Sequence, residues 1–244
     1  MLKDEWFKNW FDSPFYHILY RNRDLKEAKT FIANLTGYLS LDDNSRVLDL
    51  GCGKGRHSIE LNKYYDTVKG IDLSSNSIKI AKKHESNELT FQIEDMRNFK
   101  SVKKFNAIFN LFTSFGYFKD YNENLKVLRS CNNALTEQGI IIIDFLNAFK
   151  IKVNIQKYET KIIGGIKFQI ERKIENDKIL KTILFEHENK SYNFEEKVQL
   201  FTLNNFNDMF KQTGFKLLSK MGNYQLHPFE PKNSDRLILI AKKI

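Results

Sequence analysis

The sequence is short of the residues that mark several protein classes. It has two cysteines, Cys52 and Cys131, in 244 residues. Two thiols cannot build a disulfide framework, and that usage suits a reducing, cytoplasmic setting. Three prolines and eleven glycines exclude collagen-like and low-complexity chains. No stretch approaches the ~20 apolar residues that span a bilayer. The longest aliphatic run, Ile140 to Ile143, is followed at once by Asp144. Met1-Leu2-Lys3-Asp4-Glu5 lacks a basic region leading into an apolar one, so no signal peptide is expected. Arginine is scarce: with eight arginines among 39 basic residues, 31 are lysine.

What is present argues for a folded, core-forming chain. The hydrophobic fraction is 41% and the aromatic fraction 14%, which excludes global disorder. The length fits one large domain or a domain carrying an insertion. A net charge of +9 and a pI near 9.3 would by themselves suggest a nucleic-acid partner. The lysines, however, are spread along the chain without a run of five like charges, as on a solvated surface. Abundant lysine, asparagine and isoleucine also match the codon bias of an AT-rich genome.

Hydrophobic periodicity divides the chain. Residues 1–45 read as helical, with Trp6, Phe7, Trp10, Phe11, Phe15, Tyr16 and Tyr20 crowded together. Asp24-x-x-Glu27 has the form of a capping box ahead of an apolar face of Leu25, Ala28, Phe31, Ile32, Leu35 and Leu39. Strands are predicted at 46–50, 67–72, 89–93, 105–111 and 140–144, with helices at about 56–64 and 74–83. Another helix starts at the box Asp120-x-x-Glu123, with Gly139 as its terminating turn. Such alternation implies a parallel sheet. Three alternating runs in 161–203, turning at Asn176-Asp177, read as an antiparallel insertion. A helix at 203–213 and strands at 215–220 and 237–242 finish the chain. The expected units are a helical cover (1–45), a cofactor-binding core (46–150), a β insertion (151–202) and the completion of the core sheet (203–244).

The loop Asp49-Leu50-Gly51-Cys52-Gly53-Lys54-Gly55 joins the first strand to the next helix. Glycines there allow a tight turn and close approach of a ligand to the main chain. The spacing of a phosphate-binding P-loop is absent, and Arg56 stands where a G-x-G-x-x-G fingerprint needs its third glycine. Asp72 ends the second strand, 19 residues beyond Gly53, where an acid accepts from two ribose hydroxyls. Glu94-Asp95-Met96 follows the third strand; a carboxylate there can accept from an adenine amine, and Met96 can pack on the ring. Three acids at successive strand ends mark one edge of the sheet as a nucleoside site.

With these motifs the sequence resembles the class I S-adenosylmethionine-dependent methyltransferase family over residues 46–147. Val47 to Gly55 looks like that family's first motif, Asp72 like its ribose-binding acid, and Asp95-Met96 like its adenine-side motif. Asn110-Leu111-Phe112 holds the position after strand four whose backbone faces the methionine part. The resemblance implies a Rossmann-like α/β fold with a seven-stranded, mostly parallel sheet whose last strand is antiparallel. It also implies S-adenosyl-L-methionine as cofactor and S-adenosyl-L-homocysteine as product. The cofactor-binding residues it implies are Asp49, Gly51, Cys52, Gly53, Gly55, Asp72, Leu73, Asp95, Met96, Asn110, Leu111 and Phe112. The strand insertion resembles that of small-molecule methyltransferases, where it covers the active site.

Subclass features narrow the chemistry. The Asp/Asn-Pro-Pro-Tyr motif of DNA amino-methylating enzymes is missing, since Leu111-Phe112-Thr113 follows Asn110. Neither cysteine is placed as a cytosine-C5 nucleophile. Metal-dependent catechol enzymes need an acid cluster, and only Asp144-x-x-Asn147 is available, to orient a substrate or to cap the next segment. Three regions are expected to meet at the carboxyl edge of the sheet: the aromatic amino-terminal segment, residues 113–118, and residues 224–229. His227, His17 or Tyr16 is the candidate to assist proton removal, while His57, His84 and His187 read as surface positions. Arg21 or Arg23 is the candidate partner of the cofactor carboxylate. The expected acceptor is a small molecule methylated at oxygen or nitrogen, on a monomer or homodimer. A tRNA or rRNA methyltransferase and a non-catalytic S-adenosylmethionine-binding partner protein are the alternatives.

Overall fold

Short strands buried on both faces alternate with amphipathic helices, and this alternation places successive strand ends on one edge of a sheet. The computed structural model describes residues 6–21 and 25–244. Two short helices, α1 (Trp6–Phe11) and α2 (Pro14–Leu19), precede the long α3 (Leu25–Leu39). The central series is β1 (Arg46–Leu50), α4 (Arg56–Leu61), β2 (Thr67–Asp72), α5 (Ser75–Ala81), β3 (Leu89–Ile93), β4 (Phe105–Asn110), α6 (Tyr121–Ala134) and β5 (Leu135–Leu146). After the short α7 (Ala148–Val153) come β6 (Tyr158–Ile163), β7 (Ile166–Glu175), β8 (Lys178–His187) and β9 (Lys190–Gln199). The chain closes with α8 (Leu203–Gln212), β10 (Phe215–Met221) and β11 (Arg236–Lys243).

The main sheet has seven strands in the order β3-β2-β1-β4-β5-β11-β10. The five strands from β3 to β5 are parallel, and β11 runs antiparallel to both β5 and β10. This is the expected Rossmann-like fold, with a separate four-stranded antiparallel sheet β6-β7-β8-β9. Val47 and Leu48 point to opposite faces of β1, and both are fully buried, as a covered parallel strand requires. Val47 packs with Phe31, Ile32 and Leu35 of α3, whereas Leu48 packs with Leu125 and Leu128 of α6 and Phe206 of α8.

A third core lies outside these layers. Trp10 and Leu19 of the amino-terminal helices pack against Phe168 and Ile170 of β7 and Ile183 and Phe185 of β8. The cover and the small sheet therefore share one interior. A polar cluster closes its edge. Glu196 Oε1 accepts from Trp10 Nε1 (2.7 Å) and Tyr20 Oη (2.6 Å), and Oε2 accepts from Lys181 Nζ (3.2 Å). Lys181 also donates to the Tyr20 hydroxyl.

Several local expectations change. The insertion has a fourth strand, β6, in which only Ile163 is buried, so it carries no alternation to read. The strand expected at 195–201 is β9, which starts at Lys190 because Tyr192 and Phe194 stack on Phe185. Gly139 does not end α6: the helix stops at Ala134, and Gly139 lies in β5, where the Leu135 side chain fills the space beside it. Asp120 caps α6 through the Asn122 amide, but Glu123 turns away to Arg97 and Lys126. Thr202 and Asn205 make a reciprocal box at α8. Asp24, of the first expected box, lies outside the described residues.

Replacing Glu196 with alanine removes the Trp10 indole's acceptor and the carboxylate that faces Lys181. Buried pairs broken on one side cost about 3–5 kcal/mol. Because Glu196 and Lys181 keep 16% and 12% side-chain exposure, the expected loss for Glu196→Ala is about 2 kcal/mol, read as a lower urea midpoint.

Candidate active site

The loop after β1 is shaped by one acceptor. The Ile71 carbonyl takes the amides of both Gly51 (2.8 Å) and Cys52 (3.0 Å), so the chain must turn within two residues of the strand. Gly51, Gly53 and Gly55 have φ of +78°, +54° and +82°, the left-handed region that glycine adopts without steric cost. A Cβ on Gly51 would stand 2.8 Å from Ser114 Cβ, and one on Gly55 would stand 2.7 Å from the Phe91 ring. Around Gly53 there is open space, and this residue lines a cavity of about 630 Å³.

Asp72 forms the next part of that wall. Its Oδ2 accepts from the Gly53 amide and its Oδ1 from the Ser74 amide, both at 2.8 Å. Burial pushes its carboxyl up, and the amides of Ser74, Gly53 and Leu73 oppose that. The carboxylate is thus fixed in orientation beside Leu73, with further lone pairs for hydroxyl donors. Asp12 of the cover docks next to it: its Oδ1 accepts from Ser74 Oγ and the Asn76 amide at 2.8 Å.

Asp95 and Met96 also line the cavity. Asp95 is clasped by Arg97, whose Nη2 is 2.5 Å from Oδ2 and whose amide is 2.9 Å from Oδ1. Burial raises its carboxyl and Arg97 more than offsets this, so the group is held below its ordinary value. Of the remaining cofactor candidates, Cys52, Leu111, Phe112 and Arg21 line the cavity, as do Tyr16 and His17.

Three candidates sit behind the wall. Asp49 is buried beneath the loop and accepts from Ser58 Oγ at 2.6 Å. Asn110 is buried and donates to the Leu50 carbonyl at 2.9 Å. Gly55 packs between Phe91 and Ala81. These residues shape the loop and do not face the cavity. Burial, opposed by the Ser58 bond and reinforced by Asp72, pushes the Asp49 carboxyl up to about 7.

The histidines are distributed differently from expectation. His227 is exposed on the β10–β11 connection beside Asn223 (3.0 Å) and is not part of the cavity wall. That connection reaches the sheet edge through Tyr224, which packs on Phe31 and donates to Asp144. His17 is on the wall, its Nε2 is buried without a hydrogen-bond partner, and burial and the Lys54 charge lower its pKa to about 4. The imidazole is therefore neutral across the physiological range. His57 is buried and lines the cavity rather than sitting on the surface, whereas His84 is exposed, as expected, at the cavity's edge. Arg23 lies outside the described residues.

The loop after β4 completes the wall. Phe112 and Thr113 have φ of +59° and +61°, and for residues other than glycine this costs about 1–3 kcal/mol each. Asp144 does not face the cavity, and Asn147 caps α7 through the Phe149 amide (3.1 Å). Neither residue touches the space a substrate would occupy. Above the site, Trp6 and Phe11 of α1 and Tyr16 of α2 make an aromatic roof with Tyr117, with ring centroids 5.0–5.5 Å apart.

Residues 41–211 match the family described as "Methyltransferase domain". The chain belongs to that family. YqeM of Bacillus subtilis is 34% identical over 115 residues, 46% of this chain and 47% of that protein. The dTDP-3-amino-3,4,6-trideoxy-alpha-D-glucopyranose N,N-dimethyltransferase of Streptomyces venezuelae is 28% identical over 131 residues, 53% of this chain and 54% of that protein. The chain thus spans about half the length of these curated relatives. A S-adenosylmethionine-dependent methyltransferase from Clostridium acetobutylicum superposes with a TM-score of 0.79 at 22% identity, over 94% of this chain and 96% of that one. Streptomyces venezuelae DesVI superposes with a TM-score of 0.72 at 17% identity, over 94% and 97%. These likenesses establish the shared fold.

The donor set fits S-adenosylmethionine. Asp72 presents an oriented carboxylate of the kind that ribose hydroxyls need, Leu73 and Met96 line the same cavity with apolar surface, and the space beside Gly53 is open.

The raised pKa of Asp49 has a sign that can be tested. Its unfolded value is about 3.9, so the fold favours the protonated acid. The associated stability is present at low pH and is lost as pH climbs from about 4 through about 7. Asp49→Asn carries no charge at any pH. Its unfolding free energy minus that of the parent should be more positive at pH 8 than at pH 5. Equal differences in urea titrations at the two pH values would show that Asp49 does not titrate in the fold.

Proposed function

We propose that this chain is an S-adenosylmethionine-dependent methyltransferase acting on an oxygen or nitrogen atom of a small molecule, with S-adenosylhomocysteine as the other product. The observation that carries this reading is the roofed cavity of about 630 Å³, with the oriented Asp72 carboxylate on one wall and aromatic side chains of the cover on the other. When bound, the cofactor supplies an electrophilic methyl group. This chain contributes orientation and exclusion of water. Asp72 holds a ribose, Leu73 and Met96 hold a purine, and Arg21 at the rim suits a carboxylate. Phe11, Tyr16 and Tyr117 keep water from the transfer. His17, neutral and with an unpartnered Nε2, accepts a hydrogen bond from the acceptor's N–H or O–H and orients its lone pair toward the methyl group. His227 is too remote from the cavity to serve. The amino-sugar N,N-dimethyltransferase among the relatives supports an amine of a small, polar acceptor. A cytoplasmic location is consistent with two buried free thiols, and no helix among the described residues is long and apolar enough to cross a membrane.

Calorimetric titration with S-adenosylhomocysteine tests the cofactor half of this proposal. Asp72→Ala should weaken binding by about 10–100-fold, the range of lost hydrogen bonds to a charged group. Retained affinity would sink the assignment. For the acceptor half, methyl transfer to a panel of amino sugars and phenols should exceed transfer to bulk RNA, and any RNA binding should be weak and shallow in salt dependence. With a working acceptor, His17→Ala should lower turnover while leaving S-adenosylhomocysteine affinity within about twofold of the parent, the ordinary scatter for a side chain outside the cofactor contacts.

A further inference from the structure

The loop after β4 holds two consecutive non-glycine residues in the left-handed region, Phe112 and Thr113. Such conformations persist only where the surroundings over-determine them. Here the surroundings are one ion pair, a buried carboxylate with a largely covered guanidinium. Asp144, on β5, is fully buried, and its Oδ2 accepts from the Phe112 amide at 2.8 Å. Its main-chain carbonyl accepts from the Thr113 amide at 2.9 Å. Arg236, at the start of β11, donates through Nε to Asp144 Oδ1 (2.7 Å) and through Nη2 to Thr113 Oγ1 (2.8 Å). The Tyr224 hydroxyl adds a third donor to the carboxylate, on Oδ2, at 3.2 Å. Every Asp144 oxygen is thereby committed to the loop or to Arg236, and none is presented to the cavity.

We propose that the Asp144–Arg236 pair is a positioning device for the cofactor-facing wall. It acts through Phe112 and Thr113, whose left-handed turn brings Leu111, Phe112 and Ser114 to the cavity and sets Ser114 against Gly51. Ser114 links the two loops directly, donating to Leu111 O (2.9 Å) and approaching Gly51 O (3.4 Å). A shift of Thr113 therefore moves the residues beside the glycine turn. The carboxylate and guanidinium are positioning groups and touch neither substrate nor cofactor.

This inference rests on the cofactor reading above, and the test separates the two. S-adenosylhomocysteine affinity is measured by calorimetry at 25 °C for the parent, Asp144→Asn, Thr113→Gly and the double variant, with each fold checked by circular dichroism. Asp144→Asn keeps the shape but removes the charge that binds Arg236. The expected result is at least a tenfold loss of affinity for Asp144→Asn. Thr113→Gly in that background should recover at least threefold, because glycine takes a positive φ without steric cost. Affinity within twofold of the parent in folded Asp144→Asn overturns the proposal, whatever its melting temperature, because the pair would then only stabilise the fold. A loss that glycine does not recover also overturns it. If Asp144→Asn does not fold, Arg236→Lys decides. It keeps a charge beside Asp144 and loses the bond to Thr113, and unchanged affinity again refutes positioning while a tenfold loss supports it. A parent that binds no S-adenosylhomocysteine would overturn the cofactor reading itself, and this inference with it.

Discussion

One carbonyl sets the geometry from which the site follows. Ile71 accepts two successive amides from the loop beyond β1, which no regular parallel ladder would allow. The chain can satisfy both only by turning sharply, and three left-handed residues in alternate positions follow. That turn directs the Gly53 amide at Asp72, so the acid at the end of β2 is held by the loop at the end of β1. The parallel register that pairs Asp49 with Gly70 and Leu50 with Ile71 brings the two ends level. A slip of one residue would turn the buried and ligand-facing sets of this edge inside out. Burial of Asp49 and Asp72 in one small volume raises both carboxyls, and hydrogen bonds from Ser58, Ser74 and Gly53 restrain them. The site is thus built from backbone donors as much as from side chains.

The roof obeys a different constraint. The first two helices are too short to fold alone, since six residues make less than two turns. The small sheet, for its part, has an aromatic face that cannot remain in water. Each supplies the surface the other must bury. These two helices meet the main layers where Asp12 accepts from the first turn of α5 beside Asp72, where Phe7 packs on Phe118, and where Trp6 and Phe11 lean on Tyr117. Access to the cavity is therefore governed by a unit whose interior is distinct from the two cores that flank the main sheet.

The sequence announced the parts whose information is local. Strands β1 to β4 fall within a residue of their expected positions, because each is a short apolar run bounded by turn chemistry. Asp72 and Asp95 were legible as acids directly after strands, and Gly51 and Gly53 as part of a glycine spacing that ordinary turns do not need. Other features depend on tertiary pairing. Asp144 reads as a substrate-facing acid until β11 is laid antiparallel to β5 and delivers Arg236 from 92 residues away. His57 reads as a surface residue because α4 is too short to show a face. His227 seemed to share the site because its loop returns to the right edge, yet the loop is tied down on the far side, at Tyr224 and Asp144. Strand β6 left no trace, since an edge strand with one buried residue has no alternation. Asp12 carries no signal, as its role exists only once the loops meet, while Ser114 falls in the loop expected at that edge without a role of its own.

The shared interior of the cover and the small sheet also orders events during synthesis. Trp10 finds its acceptor on Glu196, 186 residues further along the chain. Strands β1 to β5 can assemble from residues 46–146, through contacts of moderate sequence separation, while the ribosome is still making the insertion. Trp10 lacks its Phe194 and Glu196 partners until β9 exists, whereas Trp6 can already meet Tyr117. Trp10 thus docks after the strands of the main sheet are made, as expected when long-range closure must wait for distant chain. During that interval the face of the two short helices that carries Trp10, Phe15 and Leu19 stands in water, and it is this face that a chaperone or an aggregating neighbour would meet.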